Sequence, residues 1–457
     1  MQLPGWAISS MERIRSSPYG RRLASGSFWV FSGTAISKVM TWLAIICVAR
    51  ILGRKTFGEM GIIQNTMNMF LVFAAFNMSY TTTKYVAENR QRDPVRAGRI
   101  MSLSLMFCAI TGLIFTLIVV ALSPQLSQRM LNAPQLAGPL ALGAVVIFLG
   151  ALNATQAGSL AGFEDFRSSA MVNMVSGFLG FPLLVGGAYY GGLRGVVLGM
   201  LLQVLCLFVG NHWAVNRCIR RAGIEESYAS CFQEIPVILS FSLPGMLNGL
   251  VCAPVTWVCA VWLVNTPSGY DEMGIYNAAN QLQILVLYLS GILGTVALPV
   301  LASLNGIEKG RQFRKILRWQ VWLNGTVTAC SASLMAALSG FVMSWYGSGF
   351  QQGRWVLVLL CISSVFTSVG GVYGIVMASL DRLWIALALR AIWAIAMLLV
   401  AGPAVKYYGA LGLAQATLLA NIVHMGIQAL CIHWLMNRHF GVVSVYNADK
   451  SHMGSPV

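Results

Sequence analysis

Apolar and polar positions alternate along this chain in long blocks, not with the short periods of soluble helices and strands. Twelve mainly apolar windows follow one another: 27–49, 60–86, 100–122, 139–160, 168–190, 195–215, 237–264, 274–301, 319–343, 355–380, 383–405 and 411–435. Each holds about 20 residues or more, enough to cross a hydrocarbon core of about 30 Å as a helix. A helix satisfies its own backbone in lipid, and runs this long exclude the short alternating strands of a membrane barrel. The expectation is an all-α integral membrane protein of about twelve transmembrane helices. Their interiors are rich in glycine, which lets helices approach closely. Pro182, Pro244, Pro254 and Pro299 fall inside windows and are expected to bend or break them.

The pattern is written twice. Glu59-Met60-Gly61-Ile62 returns 213 residues later as Glu272-Met273-Gly274-Ile275, with Gln64 falling on Asn277 and Asn68 on Gln281. Tyr189-Tyr190-Gly191-Gly192-Leu193 returns 218 residues later as Tyr407-Tyr408-Gly409-Ala410-Leu411. Two echoes in the same order and at nearly the same offset predict two similar six-helix lobes around a central cavity, a common build of secondary transporters. The expected organisation is a cytoplasmic tail over 1–26, an N-terminal lobe over 27–215, a cytoplasmic linker over 216–236, a C-terminal lobe over 237–435 and a cytoplasmic tail over 436–457.

Composition agrees: 57% of residues are hydrophobic, 10% are charged and the mean hydropathy is +0.70, whereas a soluble domain carries about 25% charged residues. The net charge of +16 would suggest nucleic acid in a soluble protein; here it means basic cytoplasmic loops, and no nucleic-acid partner is expected. With both termini inside, 20 basic residues fall on the cytoplasmic side and 7 outside, and 3 lie within windows. This bias predicts a multi-pass protein of the cytoplasmic membrane with both termini cytoplasmic. Residues 1–26 do not read as a cleavable signal, although Met11–Leu23 could lie on the membrane surface as an amphipathic helix or be a plain tail. The ten cysteines form no CxxC pair and are expected to be free thiols. Walker, GxSxG and HExxH motifs and metal spacing are all missing from the sequence, so the reading calls for no metal, no cofactor, no catalytic residues and no enzyme activity.

The ionisable residues within windows are all cations: Lys38, Lys84 and Arg390. Lys38 lies about 16 Å from either end of its span and shares a helical face with Thr34 and Thr41. It either faces a wet cavity and binds an anion or pairs with a dipole inside the bundle, since facing lipid costs at least about 3 kcal/mol. Lys84 and Arg390 lie nearer the cytoplasmic ends, where binding an anion competes with snorkelling to the headgroups. Gln64, Asn68, Asn277 and Gln281 either line a polar cavity or bond helices together. Tyr276 and Tyr288 either stack on sugars or pack. At the outer side, Glu59, Asp271 and Glu272 stand near Arg50, Arg54 and Lys55. They form either an outer gate across a cleft or solvated helix starts favoured by the helix dipole.

Ala49-Arg50-Ile51-Leu52-Gly53 followed by Phe57-Gly58, and Gly274-Ile275-Tyr276-Asn277-Ala278-Ala279 with Leu298-Pro299, resemble the first outer loop and the eighth span of the polysaccharide (O-antigen) flippases. That family belongs to the multidrug/oligosaccharidyl-lipid/polysaccharide exporter superfamily, together with multidrug and toxic-compound extrusion transporters and the lipid II flippase. The resemblance covers nearly the whole chain in layout, and twelve spans suit the polysaccharide branch. It implies an oligosaccharide on a polyprenyl pyrophosphate, moved from the inner to the outer leaflet for cell-surface polysaccharide biosynthesis. It also implies membrane lipids as partners, with a polysaccharide polymerase and chain-length machinery as further candidates.

A cationic cavity would suit the pyrophosphate, two negative groups that must cross a low-dielectric region. The alternative is an ion-coupled small-molecule (drug) exporter. It would be expected to carry carboxylates in the membrane, and here every acid lies at or near a span end. A membrane glycosyltransferase or ligase would share the substrate, but the outer loops are short and hold no cluster of catalytic carboxylates.

Overall fold

The chain is built from helices whose lengths exceed what one crossing needs. The structure is a computed structural model and describes residues 18–225, 228, 230–238, 242–303, 310–380 and 382–452. In order, the main helices are α1 (Pro18–Ala75), α2 (Met78–Asn89), α3 (Pro94–Gln125), α4 (Ala137–Phe163), α5 (Phe166–Ala222), α6 (Leu243–Val264), α7 (Gly269–Ser303), α8 (Gly310–Ala337), α9 (Ser339–Trp345), α10 (Arg354–Ser379) and α11 (Leu383–His452). Among the described residues there is no strand.

Helices α1, α5 and α11 span 58, 57 and 70 residues. Straight, each would exceed about 80 Å, more than twice the hydrocarbon thickness. Each leaves helical geometry at one glycine: Gly53 (φ 73°), Gly192 (φ 52°) and Gly409 (φ 55°). The left-handed backbone at Gly192 and Gly409 is open to glycine without a Cβ clash, so these residues end one span and begin the next. The limbs beside Gly192 then fold back on each other. A Cβ at Gly187 or Gly195 would strike the backbone of the other, and one at Gly199 would strike Leu183, so the limbs run antiparallel. Gly412 meets Ala404 in the same way in α11. Counted by limbs, the described helices make twelve spans, six before the middle of the chain and six after it.

Two sequence expectations change. The window 60–86 is not one helix: α1 stops at Ala75, Phe76 and Asn77 take φ of 45° and 58°, and α2 begins at Met78. Asparagine tolerates the left-handed region, and the Asn77 carbonyl accepts from the amides of Tyr80 and Thr81. Thr82 and Thr83 then donate to the Thr155 and Gly158 carbonyls of α4 at 3.3 and 3.0 Å, which fixes the new direction. Pro182 and Pro254, by contrast, sit inside helices that keep their geometry there. The part of Met11–Leu23 before Pro18 lies outside the described residues. The ten cysteines are free.

The chain forms two compact units, Met1–Leu52 with Ile63–Gly249 and Gly53–Ile62 with Leu250–Val457. These differ from the halves read along the sequence, because residues 53–62 group with the second half and residues 237–249 with the first. For residues 53–62 the cause is close contact at the repeated motif: Gly58 lies against the backbone of Tyr270 and Gly274, and Gly61 lies against the Asn277 side chain. Phe57 is fully buried and meets the Tyr346 ring at a tilt and the Phe350 ring edge-on. The stretch read as a linker is also anchored. Helix α5 continues through Ala222, and the buried Glu234 accepts from Arg96 and Arg99 of α3 at 3.1–3.3 Å.

Each unit is tied internally by polar groups that spare buried atoms from going unpaired. In the first, Asn211 donates to Asn153, which donates to the Val204 carbonyl. In the second, Ser290, Asn324, Thr328 and Ser368 form one connected set. Phe313, Leu317, Val372, Val376, Met377, Leu389, Ile432 and Met436 form an apolar cluster where α8 and α11 begin and α10 ends.

Candidate functional site

In the first unit, the first limb of α1 presents three distinct faces. Gly33 and Ser37 pack against α5, where a Cβ at Gly33 would come within 2.7 Å of Ala170 and one at Gly177 within 2.8 Å of Ser37. Ile36, Val39 and Leu43 form an exposed apolar stripe. At 100° per residue, Lys38 lies about 100° from Ser37 and about 130° from the centre of that stripe. Lys38 and Thr34 are half-buried. Thr41 donates to the Ser37 carbonyl of its own helix at 2.9 Å. Lys38 therefore stands on a partly open face that is neither the α5 contact nor the apolar stripe.

The other residues singled out in the sequence fall in different settings. Lys84 is exposed on α2, with its ammonium 5.1 Å from the Tyr85 ring centre. Gln64 is half-buried and its amide points at the Met200 sulfur, 3.6 Å away. Asn68 is exposed and Gln281 half-buried. Asn277 is buried against Gly61, and its amide nitrogen has no partner. Gln64 and Asn277 thus occupy equivalent repeat positions, and each is turned into the packing of its own unit.

Of the proposed outer-gate residues, Arg54 and Asp271 form an ion pair. The Arg54 guanidinium donates to Asp271 at 3.0 Å, to the Gly349 carbonyl at 3.1 Å and to Gln352 at 3.2 Å. Arg50 and Lys55 are exposed. Glu272 accepts from the Ala410 amide at 2.9 Å, just past the α11 kink. Glu59 is buried beside Tyr270. Burial first, and the Glu59 charge second, push the Tyr270 phenol above its ordinary range.

Arg390 is half-buried in the first limb of α11. Asp381, nine residues before it and the nearest acid along the chain, lies outside the described residues. Two polar residues on the second limb of α11 escaped the sequence reading. His424 and Gln428, on the second limb, are buried, and each carries a polar atom without a hydrogen-bond partner. Their four-residue spacing inside an apolar span was the available signal. Among the described residues no group of three His, Cys, Asp or Glu side chains could hold a metal.

The chain is 22% identical over 338 residues to the EPS I polysaccharide export inner membrane protein EpsE of Ralstonia nicotianae, covering 71% of this chain and 74% of that one. An inward-facing multidrug resistance MATE family transporter of the MOP superfamily shares the fold, with a TM-score of 0.75 at 14% identity, covering 90% of this chain and 98% of the other. The lipid II flippase MurJ in its inward closed conformation gives 0.72 at 14% identity, covering 88% and 87%. The model of the family described as polysaccharide biosynthesis protein matches residues 23–305, more than half of the chain, and the chain belongs to that family.

Proposed function

We propose that the chain moves a polyprenyl-pyrophosphate-linked oligosaccharide from the inner to the outer leaflet of the cytoplasmic membrane by alternating access. Its coarser part, membrane export of the polysaccharide type, follows from the family and the membrane-length helices. The finer reading rests chiefly on Lys38. A cation at mid-span depth, on a partly open face away from the apolar stripe, suits a ligand that brings negative charge to that depth. In this reading Thr34 flanks it, and the exposed Asn68 and half-buried Gln281 meet sugar hydroxyls. Lys84, exposed near the end of α2, and Arg390 serve entry. Both termini are cytoplasmic, and a polymerase with its chain-length machinery would take up the product.

The test is a Lys38→Ala variant assayed for polysaccharide export and for protein level together. Export should be lost at normal protein level, with lipid-linked repeat units accumulating on the inner leaflet. Lys38→Arg should keep part of the function, because a pyrophosphate accepts either cation. Normal export by a well-expressed Lys38→Ala protein would remove Lys38 from the site.

A further inference from the structure

We propose that Arg390, His424 and Gln428 form an oxyanion site inside the second unit that takes a phosphate or pyrophosphate group. The register of the α11 hairpin brings them together. The Trp393 indole on the first limb donates to the Asn421 side-chain oxygen Oδ1 on the second at 2.9 Å. One turn further from the kink, on both limbs, come Arg390 and His424. The Arg390 charge acts on His424 and on Cys252 of α6. Gln428 follows one turn below His424, facing Gly370 of α10, where a Cβ would lie 2.9 Å from its amide oxygen.

The polar groups above and below this level differ in how far they are satisfied. Asn421 is fully used: it accepts from Trp393 and donates to Ser363 and Thr367 at 2.8 and 3.1 Å. His424 and Gln428 are 7% and 4% exposed, yet the imidazole Nε2 and the amide Oε1 have no hydrogen-bond partner. Leaving buried polar atoms unpaired is costly, so such atoms mark a place built to receive something. The charge of Arg390 sets the sign of what arrives. A guanidinium stays protonated and only donates. Neither limb window carries an acid, and among the described residues no carboxylate pairs with Arg390. An oxyanion accepts from the guanidinium fork, from an Nε2–H tautomer of His424 and, after rotation of its amide, from Gln428. The apolar cluster of Phe313, Leu389 and Ile432 lies beside the start of α11, on the side away from Trp393. It would exclude water there and strengthen the contact.

The source of the oxyanion, a lipid-linked pyrophosphate or a free one, rests on the proposed function; the site does not. The full chain in detergent, carrying Lys38→Ala and Lys84→Ala to remove the two other cations within windows, is titrated by calorimetry with inorganic pyrophosphate and with farnesyl pyrophosphate. Arg390→Gln should weaken binding by about tenfold or more, and His424→Phe by about fivefold, as expected for charge-assisted and neutral donors. Arg390→Lys should keep part of it and carries the test if Arg390→Gln does not accumulate. Tighter binding of the farnesyl form assigns the lipid source, and equal binding assigns the free anion; both support the site. Absence of binding by either probe, or binding unchanged in Arg390→Gln and His424→Phe alike, overturns it. Pyrophosphate binding that persists in a protein without effect on export would leave this site standing while the flippase reading failed.

Discussion

At the scale of single residues, Arg54 separates an ion pair from an anchor. Its bond to Asp271 joins side chains that are each about 30% exposed, so the pair alone contributes about 1 kcal/mol or less. Arg54 also holds the Gly349 carbonyl and Gln352. Asp271→Asn should therefore barely move the thermal midpoint in detergent, while Arg54→Ala should lower it distinctly. Equal shifts would mean that the carboxylate carries the contact. Asp165, between α4 and α5, gives a pH-dependent case. Burial raises its pKa, but bonds from the Ser168 hydroxyl and amide and from Cys218, with Arg221 nearby, outweigh burial and hold the carboxyl below its ordinary 3.8. A depressed folded pKa adds stability above the ordinary value and loses it as pH falls through the folded value. Asp165→Ala should cost about 1 kcal/mol at neutral pH through the lost helix cap. The gap to the parent protein should close on acidification below the carboxylate range, as read by unfolding midpoints across pH.

At the scale of elements, glycines set how closely the limbs of one helix can lie. The α5 hairpin depends on backbone contact between Gly187 and Gly195. A leucine at Gly195 has no room unless the limbs part, and overpacking of this kind costs about 1–3 kcal/mol. Gly186, one residue from the contact, has nothing within 4 Å of a Cβ. Gly195→Leu should thus reduce the yield of monodisperse protein, while Gly186→Ala should leave it unchanged. Equal loss in both would point to general intolerance of α5 to substitution instead of close packing. The same physics explains the split of the window 60–86. Hydropathy counts apolar residues and cannot register a left-handed pair such as Phe76 and Asn77, which costs almost no hydrophobicity.

At the scale of the whole molecule, orientation carries the clearest prediction. A reporter active only in the cytoplasm should be active when fused after Arg318 or Arg438 and silent at Ser268, because basic residues stay on the inner side. Activity at Ser268 with silence at Arg438 would invert the topology and, with it, the direction of transport.

The sequence by itself determined the class, the number of spans and the doubling of the fold. These follow from hydrophobic length and from repeated short motifs, which are local properties of the chain. It also singled out Lys38 and Arg390, because a charge within an apolar run is conspicuous in one dimension. Tertiary structure alone decided what each polar residue touches. Gln64 and Asn277 are equivalent in the repeat, yet one points at Met200 and the other at Gly61. Glu59 and Glu272 are also equivalent, yet Glu272 is engaged by the Ala410 amide at 2.9 Å while Glu59 lies beside Tyr270. His424 and Arg390 are 34 residues apart and come to the same level of the hairpin only because Gly409 turns α11 back on itself. A sequence pattern fixes which residues share a helix face; whether that face meets lipid, a backbone carbonyl or an unpartnered neighbour depends on contacts between segments distant in the chain.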